Sequence, residues 1–537
     1  MHYKIIGCLV VLVGLHCLLV IGPPVYPAVH NLVSGPAPEQ SETRSAARAY
    51  LAEGQRALHA HDLRQAKAQL ERAVEADPKL AEAYLALGIV EFQGGENARA
   101  INHFLQLLEL HPDSVDGHYN LALVYLREQK LEEGARELER AVAINPRHDD
   151  ATYNLGVVLL ELGRPEEALM RLRQARSLDS KRPDVAFNLV RAELVSNQPG
   201  EAQHEAEEAA KTFGQDPNWQ AALGQAFLQY KQPRQAAVHL AEALRLKPGS
   251  EQIRQQLAAA YIEAQDAASA LPLLETATGA EDHYLAATAY LFLRRLHDAD
   301  RESLRALEQV PQDARYLLQR ARIAQRLGRH QDSLEILRQA TQLEPTWAEP
   351  YYSAGVSLYL LRRYADARRS LDRALELDAG SVRALFLYAA TLANEGRNRE
   401  GEERLLRAIA REPANARFQY HLGAIRLRDN RPLEAQQAFE KSIQLKPDYA
   451  WPHYQLGKLF ASSGQLDLAV RELQTAVRCQ PDLAQAFYHL GRVYARLGER
   501  EKSQQALATF SQFKKQEADE DREFMEGVQK DLELGDR

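Results

Sequence analysis

The chain has 537 residues, of which 45% are apolar and 26% charged, and its formal net charge at pH 7 is −8. Its three cysteines are too few for a disulfide framework, and the abundance of Ala, Leu, Arg, Glu and Gln, which are strong helix formers, favours an all-α fold. The charge is unevenly distributed, because residues 1–313 carry −12, residues 314–516 carry +10 and residues 517–537 carry −6. This asymmetry bears on binding partners and not on the fold.

The N-terminus combines a short basic start with an apolar run over residues 5–21, and prolines follow at positions 23, 24 and 27. Such a segment is typical of an export signal, and its length is close to the minimum of about 17 residues that can span a bilayer. We therefore assign residues 1–22 to either a cleaved signal peptide or an N-terminal membrane anchor. Residues 23–46 are predicted to be a Pro/Ser-rich linker. Both assignments place the rest of the chain outside the cytoplasm, as a periplasmic or secreted protein.

A repeat of 34 residues runs through most of the chain. Prolines recur at multiples of this spacing in two series, at positions 78, 112, 146 and 248 and at positions 311, 345, 413, 447 and 481. Self-similarity at a fixed period is typical of a solenoid, in which each unit packs only on its neighbours. Solenoids present long surfaces, and such surfaces bind partners more often than they catalyse reactions.

One period, residues 81–112, shows how each unit is expected to fold. Tyr84 and Leu87 follow helical spacing, and a glycine pair ending at Gly95 is typical of the end of a helix, since glycine adopts a positive φ at little cost. A second amphipathic stretch carries Phe104 on its apolar face, and a proline ends it. The pattern predicts two antiparallel helices of about 13 residues joined by a tight turn.

This pattern resembles the tetratricopeptide repeat (TPR), which has a Leu-Gly or Leu-Ala pair in its first helix and small residues in its second. The pairs lie at 87–88, 121–122, 155–156, 223–224, 257–258, 422–423, 456–457 and 490–491. Gly134 and Gly401 stand where the second helix normally has a packing alanine. About fourteen units can be counted from Ala47. The resemblance implies a right-handed α-solenoid of stacked antiparallel helix pairs, the TPR superhelix.

The array is predicted to consist of two subarrays. About five residues are missing from the period near Thr278–Asp282, close to the point where the charge changes sign. We therefore predict an acidic N-terminal TPR subarray over residues 47–282 and a basic C-terminal subarray with an aromatic groove over residues 283–516. A shortened surface turn is an equally good explanation of the missing residues. Residues 517–537 are predicted to be an acidic capping helix or tail, because terminal repeats need a polar outer face.

The resemblance also implies that the second, fifth, sixth, ninth and thirteenth residues of each unit face a ligand in a concave groove. The fifth residue is aromatic in nine units, at Tyr119, Tyr153, Phe187, Tyr284, Tyr352, Phe386, Tyr420, Tyr454 and Tyr488. The sixth is Asn120, Asn154 and Asn188 in three successive units. A similar asparagine ladder in O-linked N-acetylglucosamine transferase superhelices holds peptide backbones, and one carboxamide can donate to and accept from a peptide bond. The Tyr-Asn pair is also the ordinary TPR consensus, so both interpretations stay open.

The second position changes sign along the chain. It is acidic in early units, as at Asp150, where the helix dipole favours a carboxylate by about 0.3–1 kcal/mol, but it is arginine at Arg315, Arg383 and Arg417. A basic, aromatic groove suits an extended peptide with carboxylates, including a C-terminal one, whereas the alternative is a solvated face. The candidate peptide-binding residues are Asn120, Asn154, Asn188, Arg383, Arg417, Tyr420, Arg428, Trp451, Tyr454, Lys458, Tyr488, Arg492 and Arg496.

Motifs of catalysis are absent from the sequence. It has no phosphate-binding loop, dinucleotide fingerprint, zinc-protease motif, paired-cysteine zinc pattern or nucleophile elbow. We therefore predict no enzymatic activity, no cofactor, no metal site and no small-molecule substrate, and the acidity and export argue against nucleic acid. The leading hypothesis is a non-catalytic scaffold that binds segments of other proteins. The alternative is a regulatory or adaptor subunit of an enzyme or secretion complex, such as a glycosyltransferase. In a third hypothesis the acidic tail occupies the basic groove.

Overall fold

The computed structural model describes residues 38–275 and 278–514. Within these residues all 28 regular elements are α-helices, and consecutive helices pack in antiparallel pairs inside two compact units, Met1–Leu273 and Leu274–Arg537. The predicted all-α solenoid is thus confirmed. The predicted signal or anchor and the acidic tail lie outside the described residues. None of the described helices is both long and apolar enough to cross a membrane.

Fourteen of the described helices begin in the first unit. They are α1 Pro38–His59, α2 Leu63–Ala76, α3 Ala81–Gln93, α4 Asn97–Leu110, α5 Val115–Arg127, α6 Leu131–Ile144, α7 Asp149–Glu161, α8 Pro165–Leu178, α9 Pro183–Val195, α10 Pro199–Phe213, α11 Pro217–Gln229, α12 Pro233–Leu246, α13 Glu251–Glu263 and α14 Ala267–Leu274. Helix α1 begins at Pro38, so the last residues of the predicted linker are helical.

Fourteen further helices form the described part of the second unit. They are α15 Ala280–Phe292, α16 Leu296–Gln309, α17 Ala314–Arg326, α18 His330–Leu343, α19 Ala348–Leu360, α20 Tyr364–Leu377, α21 Val382–Asn394, α22 Asn398–Arg411, α23 Ala416–Arg428, α24 Pro432–Leu445, α25 Ala450–Ser462, α26 Leu466–Cys479, α27 Ala484–Leu497 and α28 Arg500–Lys514. Odd-numbered helices are the first of each repeat and even-numbered helices the second.

The backbone at the turn inside each repeat follows the 34-residue period. One residue in every such turn has a positive φ: His61, Gly95, Gln129, Gly163, Asn197, Lys231, Gln265, Arg294, Gly328, Arg362, Gly396, Asn430, Gly464 and Gly498. Six of the fourteen are glycine, which adopts this conformation cheaply, and the others include two asparagines, which also tolerate it. The turn geometry is therefore kept even where the sequence lacks its glycine.

The one irregular interval lies between Gln265 and Arg294, which are 29 residues apart instead of 34. The shortening falls on the second helix of that repeat, because α14 has 8 residues where most other second helices have 14. The described part of the shortening thus lies in α14, and the interpretation as a shortened surface turn stays a prediction. The predicted subarray boundary between residues 282 and 283 stays a prediction.

The core of each unit forms where first and second helices meet. Second helices are amphipathic, and in α6 the residues Ala135, Leu138 and Ala141 recur every three positions and are fully buried. First helices are buried on more sides, since they also contact the first helix of the next repeat, as α3 does with α5. Neighbouring repeats are therefore joined both by contacts between first helices and by the packing of each second helix on the next first helix.

Glycines let the paired helices approach closely. A Cβ on Gly88 would lie 2.4 Å from the ring of Phe104, nearer than real contacts allow. In the next repeat, Ala122 occupies the position on the first helix that corresponds to Gly88. There the second helix supplies the glycine, and a Cβ on Gly134 would lie 2.5 Å from Leu126. The departure from the repeat pattern at Gly134 is thus explained by close packing against the first helix.

A side-chain clasp recurs at the fourth residue of several first helices. The Nε2 atom of His118 lies 2.9 Å from the carbonyl oxygen of Pro112, and its Nδ1 lies 2.6 Å from the carboxylate of Glu137 on the second helix. His453 makes the same two contacts at 3.1 and 2.7 Å, and His283 makes the carboxylate contact at 2.8 Å. The clasp joins the preceding loop to both helices. Its sequence signal, which was missed, is a polar partner 19 residues downstream.

Candidate functional site

The asparagine ladder of the first unit connects successive repeats. The side-chain amide of Asn154 donates to the hydroxyl of Tyr119 at 3.3 Å, and that of Asn188 donates to the hydroxyl of Tyr153 at 2.9 Å. In both cases the partners are 35 residues apart. Burial raises the pKa of both tyrosines, so their hydroxyls stay protonated.

These carboxamides are also buried. Asn120, Asn154 and Asn188 are 1%, 2% and 8% exposed. The Oδ1 atom of Asn188 accepts from Arg191 at 2.9 Å, while that of Asn120 is buried with no hydrogen-bond partner among the described residues. In this structure the ladder stabilises the stacking of repeats, and a role in gripping peptide backbone stays a prediction.

Two of the acidic second positions of this unit are neutralised by an arginine that precedes α9. Arg182 bonds to Asp150 and to Asp184, each at 2.7 Å, and its guanidinium lies 4.6 Å from the centre of the Tyr153 ring. Burial opposes the charge of Arg182, but hydrogen bonds and attraction from the two carboxylates raise its pKa overall. Sequence reasoning missed this bridge, because Arg182 lies outside the positions that were compared.

In the second unit, arginines at the second position pair with acids one repeat earlier. Arg315 lies 3.3 Å from Glu281, and Arg383 hydrogen-bonds to Glu349, which also bonds to Arg322 at 2.6 Å. Each second-position pair is 34 residues apart, so the side chains meet only because the repeats stack in register. The positive charge of Arg383 is therefore balanced inside the protein.

Three further candidates lie on α23, and a fourth lies at the equivalent end of α27. Tyr420 packs against three aromatic rings with centroids 5.1–5.9 Å away, while Arg417 is partly buried in the first turn. Arg428 is exposed in the last turn, and Arg496 donates to the carbonyl of Ala461 at 2.5 Å. These residues flank the group of side chains on the last two first helices.

That group alternates tyrosines and cations at the fifth and ninth positions of α25 and α27. The ammonium of Lys458 lies 5.1 Å from the ring centre of Tyr454, and the guanidinium of Arg492 lies 5.7 Å from that of Tyr488. Trp451 packs edge-on against Tyr454 at 5.9 Å. We call the following set the C-terminal basic surface: Trp451, Tyr454, Lys458, Tyr488, His489 and Arg492.

The positive charge of this surface is not balanced locally. Lys458 and Arg492 form no ion pair within residues 38–275 and 278–514. His489 lies between the rings of Tyr454 and Tyr488, with centroids at 5.6 and 5.3 Å. Burial, together with the charges of Lys458 and Arg492, lowers the pKa of His489 to about 4, so this imidazole is neutral at pH 7. Two cations without an ion pair in the described part of the chain thus share one face with three aromatic rings.

Comparison with family models identifies the repeats. The model described as "Tetratricopeptide repeat" matches residues 51–115, 85–144, 119–183, 284–346 and 391–450, a second of the same description matches 159–226, and one described as "TPR repeat" matches 457–498. The chain belongs to the tetratricopeptide repeat family. Its repeats form a scaffold for protein interactions. No curated protein matches this TPR chain.

Solved structures resemble the TPR chain in fold. The APC/C hetero-tetramer Cut9-Hcn1 matches with 14% identity and a TM-score of 0.41, covering 84% of this chain and 97% of that one. YrrB, described as a TPR protein with an unusual peptide-binding site, matches with 20% identity and a TM-score of 0.31, covering 34% and 94%. PilF of Pseudomonas aeruginosa matches with 23% identity and a TM-score of 0.33, covering 41% and 98%.

Proposed function

We propose that this TPR protein is a non-catalytic scaffold that binds extended, acidic segments of other proteins across the C-terminal basic surface. The observation that carries the proposal is that Lys458 and Arg492, at the ninth position of consecutive first helices, lack carboxylate partners among the described residues. Most of the cations that the second unit places near its first helices are paired, as Arg383 is.

The chemistry of the surface favours carboxylates on an extended chain. A cation without a partner can form a charge-assisted hydrogen bond, which contributes about 1.5–3 kcal/mol where it is sheltered from water and less where it is exposed. Tyr488 is 36% exposed and Trp451 is partly accessible, so apolar side chains of a bound segment have rings to contact. In the bound segment, acidic residues would pair with the two cations, and neighbouring apolar residues would bury surface area against the rings.

The proposal leaves out two groups of candidates. Asn154 and Asn188 are bonded to the preceding repeat, and Arg383 is bonded to Glu349, so a ligand would have to displace contacts inside the protein to reach them. Asn120 is 1% exposed, and its side chain donates to the carbonyl of Asp116. A segment bound at the C-terminal basic surface breaks no ion pair that Lys458 or Arg492 forms with the described residues. An acidic C-terminus of a partner is one form of such a segment.

Binding to a labelled, Asp/Glu-rich peptide, followed by fluorescence anisotropy, tests this function. The double variant Lys458→Ala/Arg492→Ala should weaken binding about tenfold or more. The loss of each charge-assisted contact lowers the affinity by about twofold where the contact is exposed and by up to about a hundredfold where it is sheltered from water. The matched control Arg471→Ala/Arg478→Ala removes two exposed cations from α26 and should change affinity little. Equal losses in both variants would show general charge attraction and contradict the proposal.

We further propose that the scaffold is exported, with residues 5–21 as a cleaved signal or, if uncleaved, a membrane anchor. The apolar run and the prolines that follow it support this assignment. Mass spectrometry of the mature N-terminus, combined with cell fractionation, distinguishes cleavage from anchoring. An intact N-terminus on protein recovered from the cytoplasm would contradict export.

A further inference from the structure

The described chain ends beside the C-terminal basic surface. Helix α28 packs antiparallel to α27, so its last turn reaches the first turns of α27. Phe513 lies 5.8 Å from Phe487, and Phe510 lies 5.2 Å from Tyr488, measured between ring centroids. The described chain therefore ends next to Tyr488, one helical turn from Arg492.

The segment that follows carries charge opposite to that of the surface. Residues 517–537 contain nine Asp and Glu against three Lys and Arg, a net charge of −6. An extended chain spans about 3.3 Å per residue, and neighbouring helices lie roughly 10 Å apart. A few residues are thus enough to pass from Tyr488 to Lys458 on the preceding first helix.

We propose that residues 517–537 bind the C-terminal basic surface of their own chain and compete with partner segments. This proposal rests on the proposed function, since it uses the same two cations. A tethered segment acts at an effective concentration on the order of 1 mM. If the free segment binds with a Kd of about 0.1 mM, tethering weakens the binding of a competing acidic peptide about tenfold. The protein would then select partners that are more acidic or more apolar than its own tail.

A synthetic, labelled peptide of residues 517–537 provides the probe, and three forms of the protein provide the comparison. These are the full chain, the chain ending at residue 516, and the full chain in which every Asp and Glu after residue 516 is changed to Asn or Gln. The probe should bind the second and third forms about tenfold more tightly than the first. The difference should not depend on protein concentration, because the competition is intramolecular.

The position of binding is checked in the form with the neutralised tail. There Lys458→Ala/Arg492→Ala should abolish the gain, whereas Arg471→Ala/Arg478→Ala should retain it. Equal affinity of the probe for all three forms, or a gain that survives Lys458→Ala/Arg492→Ala, overturns the tail proposal. The unrelated Asp/Glu-rich peptide then distinguishes the proposed function from the tail proposal. If that peptide binds Lys458→Ala/Arg492→Ala more weakly than the unchanged protein, the proposed function is supported even when the tail proposal fails.

Discussion

Replacing Gly224 by alanine tests whether close approach of paired helices stabilises a repeat. A Cβ at this position would lie 2.4 Å from Cγ and 2.9 Å from Cδ2 of Leu240, and 3.2 Å from the carbonyl oxygen of Ala236. Leu240 is fully buried on α12, so it is surrounded by other residues of the core. The two helices must therefore separate, or Leu240 must leave its preferred rotamer.

The expected loss follows from two opposing terms. Overpacking of a full core costs about 1–3 kcal/mol, and a Cβ only 2.4 Å from Cγ of Leu240 places Gly224→Ala in the upper part of this range, at about 2–3 kcal/mol. The better helix propensity of alanine offsets about 1 kcal/mol. The net loss in the free energy of unfolding is therefore about 1–2 kcal/mol. Gly249→Ala is the matched control, because its Cβ would meet no atom within 4 Å, and it should change stability by about 0.5 kcal/mol or less.

Urea unfolding, with hydrogen exchange in α11 and α12 as a local measure, checks the prediction. A double-mutant cycle sharpens it, since Leu240→Ala alone leaves a cavity that costs about 2–5 kcal/mol. The methyl group of Gly224→Ala partly fills that cavity, so the double variant should be about 1 kcal/mol more stable than additivity predicts. Strict additivity, or a loss no larger than that of Gly249→Ala, would refute the packing argument.

Three other predictions concern buried polar groups, and urea unfolding measures each. Burial lowers the pKa of His239 to about 4, so the unfolded state takes up a proton below pH 6.5 before the folded state does. His239 should therefore contribute about 2 kcal/mol to the stability lost between pH 8 and 5, and His239→Gln should remove this contribution while that of His489 remains. Tyr153→Phe deletes the hydroxyl that accepts from Asn188 and should cost about 1 kcal/mol. Glu349→Gln weakens bonds to two arginines and should cost about 1–3 kcal/mol, less at high salt.

Sequence alone predicted the local structure of this protein. The 34-residue period, the apolar spacing and the breaks between helices placed the helix pairs, because these features depend on neighbours within one repeat. The missing five residues were also visible as a change of period. The sequence could not show that the missing residues shorten α14, because a shorter turn and a shorter helix change the repeat period in the same way.

The tertiary structure decided which candidate side chains remain available to a ligand. The repeat pattern predicted that Asn154, Arg383 and Lys458 all face the groove. In the structure, however, Asn154 bonds to Tyr119 and Arg383 bonds to Glu349. These partners lie 34 or 35 residues away, and each bond depends on what the neighbouring repeat places opposite. A periodic sequence determines the position of a side chain within its own repeat. Its contacts depend on the stacking of different repeats, which brings opposite charges together at Arg383 and gives Lys458 no carboxylate partner among the described residues.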